Sequence, residues 1–232
     1  MSRDIKVIDM KRFRISLMLV VAAVAAIISQ PSYSQIYEGI NTLQSVITPA
    51  LSGSGKYKGF VEAGYSHTLS HYNGDFIELT TSQGYQYNNW FFMGAGMGID
   101  LLFAHKSENW GMNTWPSGDR GATSKAVMLP LFTDFRFLIG AGSSVSFFLD
   151  LKVGCSFLLS NKMIEIGNGY LTNREYFFLD PAIGLRLPVN KKKPKQAFDV
   201  GIRYKLLTSN YWYNANNNIT LQSLGAFVGF EW

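Results

Sequence analysis

Ser223-Leu-Gly-Ala-Phe-Val-Gly-Phe-Glu-Trp232 is the stretch whose reading decides the fold. Leu224, Ala226, Val228, Phe230 and Trp232 fall on one face; Ser223, Gly225, Phe227, Gly229 and Glu231 fall on the other. Strict period-two alternation describes a strand set between two unlike environments. The first face is apolar and ends on an aromatic, while the second is mostly small and carries one carboxylate. In a soluble sheet the apolar face looks inward. In a membrane barrel it looks outward, into lipid.

The same alternation runs upstream from Lys56. Strands are expected over 57–66, 75–87, 91–101, 126–138, 145–157, 176–187 and 197–206, with 223–232 as the eighth. In the third, Phe91, Met93, Ala95, Met97, Ile99 and Leu101 oppose Gly94, Gly96, Gly98 and Asp100. Three glycines on one face leave room for large inward neighbours. Short turns fall near Asn88, Gly140 and Asn190, and longer loops near His71, Asn113, Asn168 and Asn214. An even number of strands joined by alternately short and long loops predicts an all-β fold. The expected form is an eight-stranded antiparallel up-and-down transmembrane β-barrel, with the short turns and both termini on one side.

The charges choose the inside. Glu62, Glu78, Asp100, Asp134, Arg136, Asp150, Lys152, Asp180, Arg186, Asp199, Arg203, Lys205 and Glu231 all share the face opposite the bulky apolar one. A soluble ligand-binding barrel reverses this order, and alternation by itself fits either arrangement. The terminal Trp232, an export leader and the size of the apolar face favour lipid outside. Phe132-Thr-Asp134-Phe-Arg136 recurs as Phe148-Leu-Asp150-Leu-Lys152, so acids and bases on neighbouring strands are placed to pair across the lumen. Such a cluster is read as a structural salt-bridge core. The sharper readings are an ion or proton path, or paired catalytic carboxylates.

The chain has 232 residues and 47% hydrophobic content, enough for one domain. Aromatics at 15% together with 22 glycines favour strands and tight turns. Residues 1–34 read as a cleaved signal peptide: Lys11, Arg12 and Arg14 precede a 14-residue apolar core from Ile15 to Ile28. That core is shorter than the roughly 20 residues a membrane helix needs. Without the leader, 16 basic and 14 acidic groups remain, a formal +2 that gives no basis for nucleic-acid binding. Residues 35–55 form an N-terminal segment with Ile36, Ile40, Leu43 and Ile47 at helical spacing, then a Ser-Gly linker. It reads either as a loosely held periplasmic leader or as a short amphipathic helix at the barrel rim or in the lumen. The barrel is expected to occupy 56–232.

Gln83-Gly-Tyr-Gln-Tyr87, Phe91-Phe-Met-Gly-Ala-Gly-Met-Gly98, Leu129-Pro-Leu-Phe-Thr-Asp-Phe-Arg136 and Phe227-Val-Gly-Phe-Glu-Trp232 resemble the small outer-membrane β-barrel domain family, the OmpA/OmpX-like group. The resemblance implies a Gram-negative outer-membrane barrel closed by its own side chains, with roles in envelope stability, adhesion or evasion. It also implies that Val228, Phe230 and Trp232 carry the C-terminal strand signal read by the insertion machinery. No peptidoglycan-binding domain is expected after Trp232.

Function is read less directly. Trp110 and Trp115 in the long polar loop are candidate anchors for an extracellular partner. Tyr211-Trp-Tyr213 reads as part of an interfacial aromatic girdle, and Lys191–Lys195 as a solvated turn. The three histidines, His67, His71 and His105, make a weak metal set. A lipid-modifying enzyme would draw on His67, Ser70 and Glu78. Cys155 reads as a small outward residue. The expectation is a non-enzymatic monomer without cofactor, with outer-membrane lipid, the insertion machinery and, through its loops, an extracellular molecule as partners. A narrow channel is the further alternative.

Overall fold

The structure is a computed structural model that describes residues 56–69, 72–105, 123–140, 145–160, 164–166, 169–171, 173–190, 193–209 and 219–232. Ten strands follow one another: β1 (Lys56–Thr68), β2 (Gly74–Asn88), β3 (Phe91–Ala104), β4 (Lys125–Ile139), β5 (Ser146–Leu158), β6 (Ile164–Ile166), β7 (Gly169–Leu171), β8 (Glu175–Asn190), β9 (Lys193–Ser209) and β10 (Ile219–Glu231). Eight of them close a barrel in the order β1-β10-β9-β8-β5-β4-β3-β2, every pair antiparallel. Closure is made by the terminal stretch, with Phe60 opposite Glu231 through to Thr68 opposite Ser223. Trp232 N–H then donates to Gly59 O at 3.1 Å, and Gly59 N–H to Trp232 O at 3.2 Å. Closure leaves no unpaired strand edge, the condition for putting a sheet into lipid.

The expected strands are all present and run longer at most ends. Barrel strands of 13 to 17 residues exceed the roughly 9–11 that cross a bilayer, so they extend past the apolar band. One feature was not anticipated. The loop after β5 contains the two-stranded hairpin β6–β7, with Ile164 opposite Leu171.

Side-chain partition runs opposite to that of a soluble protein. Val228 is 60% exposed, Met97 55% and Ile183 53%, all on the outer wall, while Lys152 and Lys205 are each 1% exposed inside it. Leu151 is a correction to a simple reading of the wall: it pairs outward with Phe135 and Pro181 yet keeps only 4% exposure. Phe91 and Phe137, also outward by alternation, are covered by contact with each other at 5.1 Å and with Trp90.

Inside, rings lie on glycines. Phe132 faces Gly96, Phe148 faces Gly184 and Phe227 faces Gly201 across adjacent strands. A Cβ at Gly184 would meet the Phe148 ring carbon Cε1 at 2.8 Å, and one at Gly201 the Phe227 Cζ at 2.9 Å. The missing side chains are the space the rings occupy.

Candidate functional site

The interior charges stack in layers along the barrel. At the end carrying both strand termini, Glu231 accepts two bonds from Arg186, Nε and Nη2 each at 2.7 Å, and pairs with Lys58. In the middle, Arg136 donates to Asp199 at 2.5 Å, to Asp150 at 2.8 Å and to Glu62. Its guanidinium lies 4.1 Å from the Phe60 ring centre and 4.6 Å from that of Phe148. Lys152 bridges Glu62 and Asp150, both at 2.8 Å. Arg203 ties this layer to the next, with Glu62 at 2.7 Å, Glu78 at 2.8 Å and Asp180 at 3.5 Å. Lys205 completes it with Glu78 at 2.8 Å and Asp100 at 2.7 Å.

All thirteen charged groups singled out above are buried inside the barrel. The structure adds Lys58, four residues before Glu62 and so on the same face, and two serines that serve the acids. Ser66 Oγ donates to Glu78 and Ser82 Oγ to Asp134, both at 2.5 Å. Arg136, Lys152, Arg203 and Lys205 each engage two or more carboxylates, which ties the middle layer and the next into one network.

Toward the mouth the interior turns apolar. Phe76, Leu102, Met128, Leu158, Phe178, Leu207 and Leu221 form one buried cluster with Ile164, Ile166 and Leu171 of the hairpin. The three hairpin side chains are fully buried, and Ile166 Cδ1 approaches Gly74. A strand outside the barrel wall therefore supplies part of its filling.

A second polar cluster lies on the outer wall near the mouth. Asp75 Oδ1 accepts from Tyr65 Oη and His67 Nδ1, both at 2.7 Å, and Asp75 Oδ2 accepts from His105 Nε2 at 2.6 Å. Both imidazoles are about half exposed. A carboxylate on Nδ1–H selects the His67 tautomer whose Nε2 lone pair is free, the geometry of an oriented general base. The acid beside His67 is thus Asp75. Glu78, nominated from the sequence, points into the lumen onto Arg203 and Lys205, because it sits three residues along the strand and so on the opposite face. Among the described residues no group of three or more His, Cys, Asp or Glu is arranged to hold a metal ion.

No protein-family model matches the chain, and no curated protein matches it. Among solved structures it is similar to Neisserial surface protein A, with a TM-score of 0.52 and 13% identity, over 77% of this chain and 97% of that one. It is also similar to the outer membrane enzyme PagL, with a TM-score of 0.50 and 15% identity, over 73% of this chain and 97% of that one. The fold is that of the small outer-membrane barrels. At such identities the likeness extends to the fold alone, so the sites are argued from this barrel's own residues.

Val228 and Trp232 of the C-terminal strand face outward, and Phe230 lies between Phe198, tilted at 5.4 Å, and Trp232, stacked at 6.3 Å. Cys155 is exposed on the outer wall. Trp110, Trp115, Ser70, His71 and 211–213 lie outside the described residues, as do the side chains of 191–195 and the expected signal peptide and N-terminal segment before Lys56.

Proposed function

We propose that the protein is a small outer-membrane barrel of a Gram-negative envelope with a structural and interaction role, exercised through its outward loops, and that it is not a diffusion pore. The observation that carries this reading is the filled interior, in which Arg136, Lys152, Arg203 and Lys205 are at most 2% exposed and each is bonded to several carboxylates. An eight-stranded barrel is only wide enough for its side chains to fill. On this reading the chain is exported through a cleaved signal peptide, keeps both termini in the periplasm and sits in lipid as a monomer. Val228, Phe230 and Trp232 form the strand recognised at insertion. Trp110 and Trp115 are the anchors toward an extracellular partner.

A second reading, a lipid-modifying enzyme, is favoured by one observation: the His67–Asp75–His105 cluster on the outer wall near the mouth. An oriented imidazole there is within reach of lipid. Catalysis also needs a nucleophile, and Ser70, the residue nominated for it, lies outside the described residues.

One comparison in outer membranes separates the two. Wild type, a His67→Ala/His71→Ala/His105→Ala variant and a barrel with a shortened 105–124 loop are assayed by lipid mass spectrometry and by partner capture. Unchanged lipids, with capture lost only in the loop variant, support the interaction role. An acyl change that disappears with the histidines overturns it in favour of the enzyme.

A further inference from the structure

The outer wall is mostly apolar and turns polar at one level near the mouth. There the register sets His67, Asp75, Phe103 and Lys125 side by side, one from each of β1 to β4 or its end. The acid of this row is taken, since Asp75 accepts from Tyr65, His67 and His105. The cation is not. Lys125 is exposed and makes no ion pair with the described residues. Asp75 stands two strand spacings from it, about 10 Å, beyond ion-pair reach.

Lys125 stands at the mouthward end of a groove on this wall. The groove, of about 510 Å³, is lined by Leu101, Phe103, Val127 and Leu159, with the wall at the Leu102–Ala126 pair beneath. Leu159 N–H donates to Val127 O at 2.9 Å, which brings the end of β5 alongside β4. Leu101 and Val127 are each 38% exposed and Leu159 60%, so the sides of the groove are bare hydrocarbon. The Lys125 ammonium lies 5.8 Å from the Phe103 ring centre, which holds the charge at the head of the apolar channel. Its stem covers apolar surface while the ammonium stays at the water boundary. The volume falls within the roughly 300–1,000 Å³ of small-ligand sites.

We propose that this groove binds one anionic, phosphate-bearing lipid, with an acyl chain against Leu101, Val127 and Leu159 and the headgroup phosphate on Lys125. The proposal rests on the reading that this wall faces lipid. A chain matches the apolar sides, and a phosphate supplies the negative charge that no described residue brings to Lys125. Chain and phosphate follow each other in such a lipid from the hydrocarbon toward water, the order in which Val127 and Lys125 follow along β4. A soluble anion would leave the apolar channel unused, and a zwitterionic lipid would offset the ammonium with a cation of its own.

Native mass spectrometry of the purified full-length barrel, titrated with phosphatidylglycerol or with phosphatidylcholine of the same acyl chains, tests this. Phosphatidylglycerol is expected to be retained about fivefold more strongly, the worth of one lysine at a charged surface. Lys125→Gln should remove the preference and Lys125→Arg keep it. Lys56→Gln, at an exposed lysine on the opposite rim, should also keep it. Val127→Trp fills the groove and should lower phosphatidylglycerol retention with Lys125 still in place. Each variant is checked for an unchanged urea midpoint in lipid vesicles, and the wild-type comparison stands without them. Equal retention of the two lipids by wild type overturns the proposal. So does a preference that survives Lys125→Gln, one lost as fully in Lys56→Gln, or retention unchanged in Val127→Trp. Displacement by inorganic phosphate overturns the lipid assignment in favour of a free anion. Retention of neither lipid overturns the lipid-facing wall together with the site.

Discussion

In the middle of the barrel Arg136 lies between Phe60 and Phe148 with Glu62, Asp150 and Asp199 around it. Toward the mouth, the same kind of inward position holds Phe76, Leu102, Met128 and Leu221, packed against Ile164, Ile166 and Leu171. The wall is continuous across the two regions, yet their cohesion differs. The ionic region is held by pairs whose members come from β1, β4, β5, β8 and β9, so it ties distant strands together at fixed points. The apolar region is held by area, and it is complete only because the β6–β7 hairpin contributes side chains from outside the wall. Water kept out at one end strengthens the electrostatics at the other.

The largest expected effect lies in the ionic region. Arg136→Ala leaves three buried carboxylates facing one another and empties the space between two rings. A loss of about 3–5 kcal/mol is expected, or failure to refold, read as the urea midpoint in lipid vesicles. If the loss were below about 1 kcal/mol, the network would be no more than a set of surface-like pairs.

The outer wall supplies the reference for both regions. Ile183 is 53% exposed there, and Ile183→Arg should cost about 2–4 kcal/mol, with Ile183→Ser much milder. Equal tolerance of Arg and Ser at 183 would mean that this face meets water and would reverse the assignment of inside and outside.

In the apolar region Ile166→Ala removes a fully buried side chain and should cost about 2 kcal/mol. The effect should be local, with faster amide exchange at the mouth and unchanged exchange around Arg136. Loss of protection in both regions together would merge them into one cooperative unit.

Gly96→Ala probes the boundary. The added methyl would meet the Phe132 ring and the Thr81 carbonyl. Phe132 belongs to the apolar cluster and also lies 5.9 Å from the Lys152 ammonium. A loss of about 1–2 kcal/mol is expected from the same urea series. The smallest expected signal is conductance. Wild-type monomer in planar bilayers should show no stable single-channel steps, since both regions would have to open for ions to pass.

Much of the barrel could be read from alternation, because a strand's side-chain period is two and each strand separates lipid-facing from inward residues. Lys58 was legible in the same way, as the inward neighbour of Glu62, and lacked only a partner to mark it. The hairpin was not legible. Ile164, Ile166 and Leu171 are three apolar residues in a polar loop, and nothing local says that they turn into the barrel mouth. The His67–Asp75 pair was missed for a related reason: the two are eight residues apart in the chain and become neighbours only through the β1–β2 register.

The sequence by itself determined the eight strands, their order along the chain and the two faces of each, since these follow from local periodicity and turn chemistry. Only the tertiary structure decided which charge meets which. The six interior cations and eight carboxyls come from β1, β2, β3, β4, β5, β8, β9 and β10, and closure of β1 on β10 with its register sets their distances. It also decided that Asp75 and not Glu78 attends His67, and that Leu151, like Phe91 and Phe137, is covered on the outer wall. Pairing across a lumen is a long-range contact between side chains, and a one-residue slip in register would send every one of them to the other face.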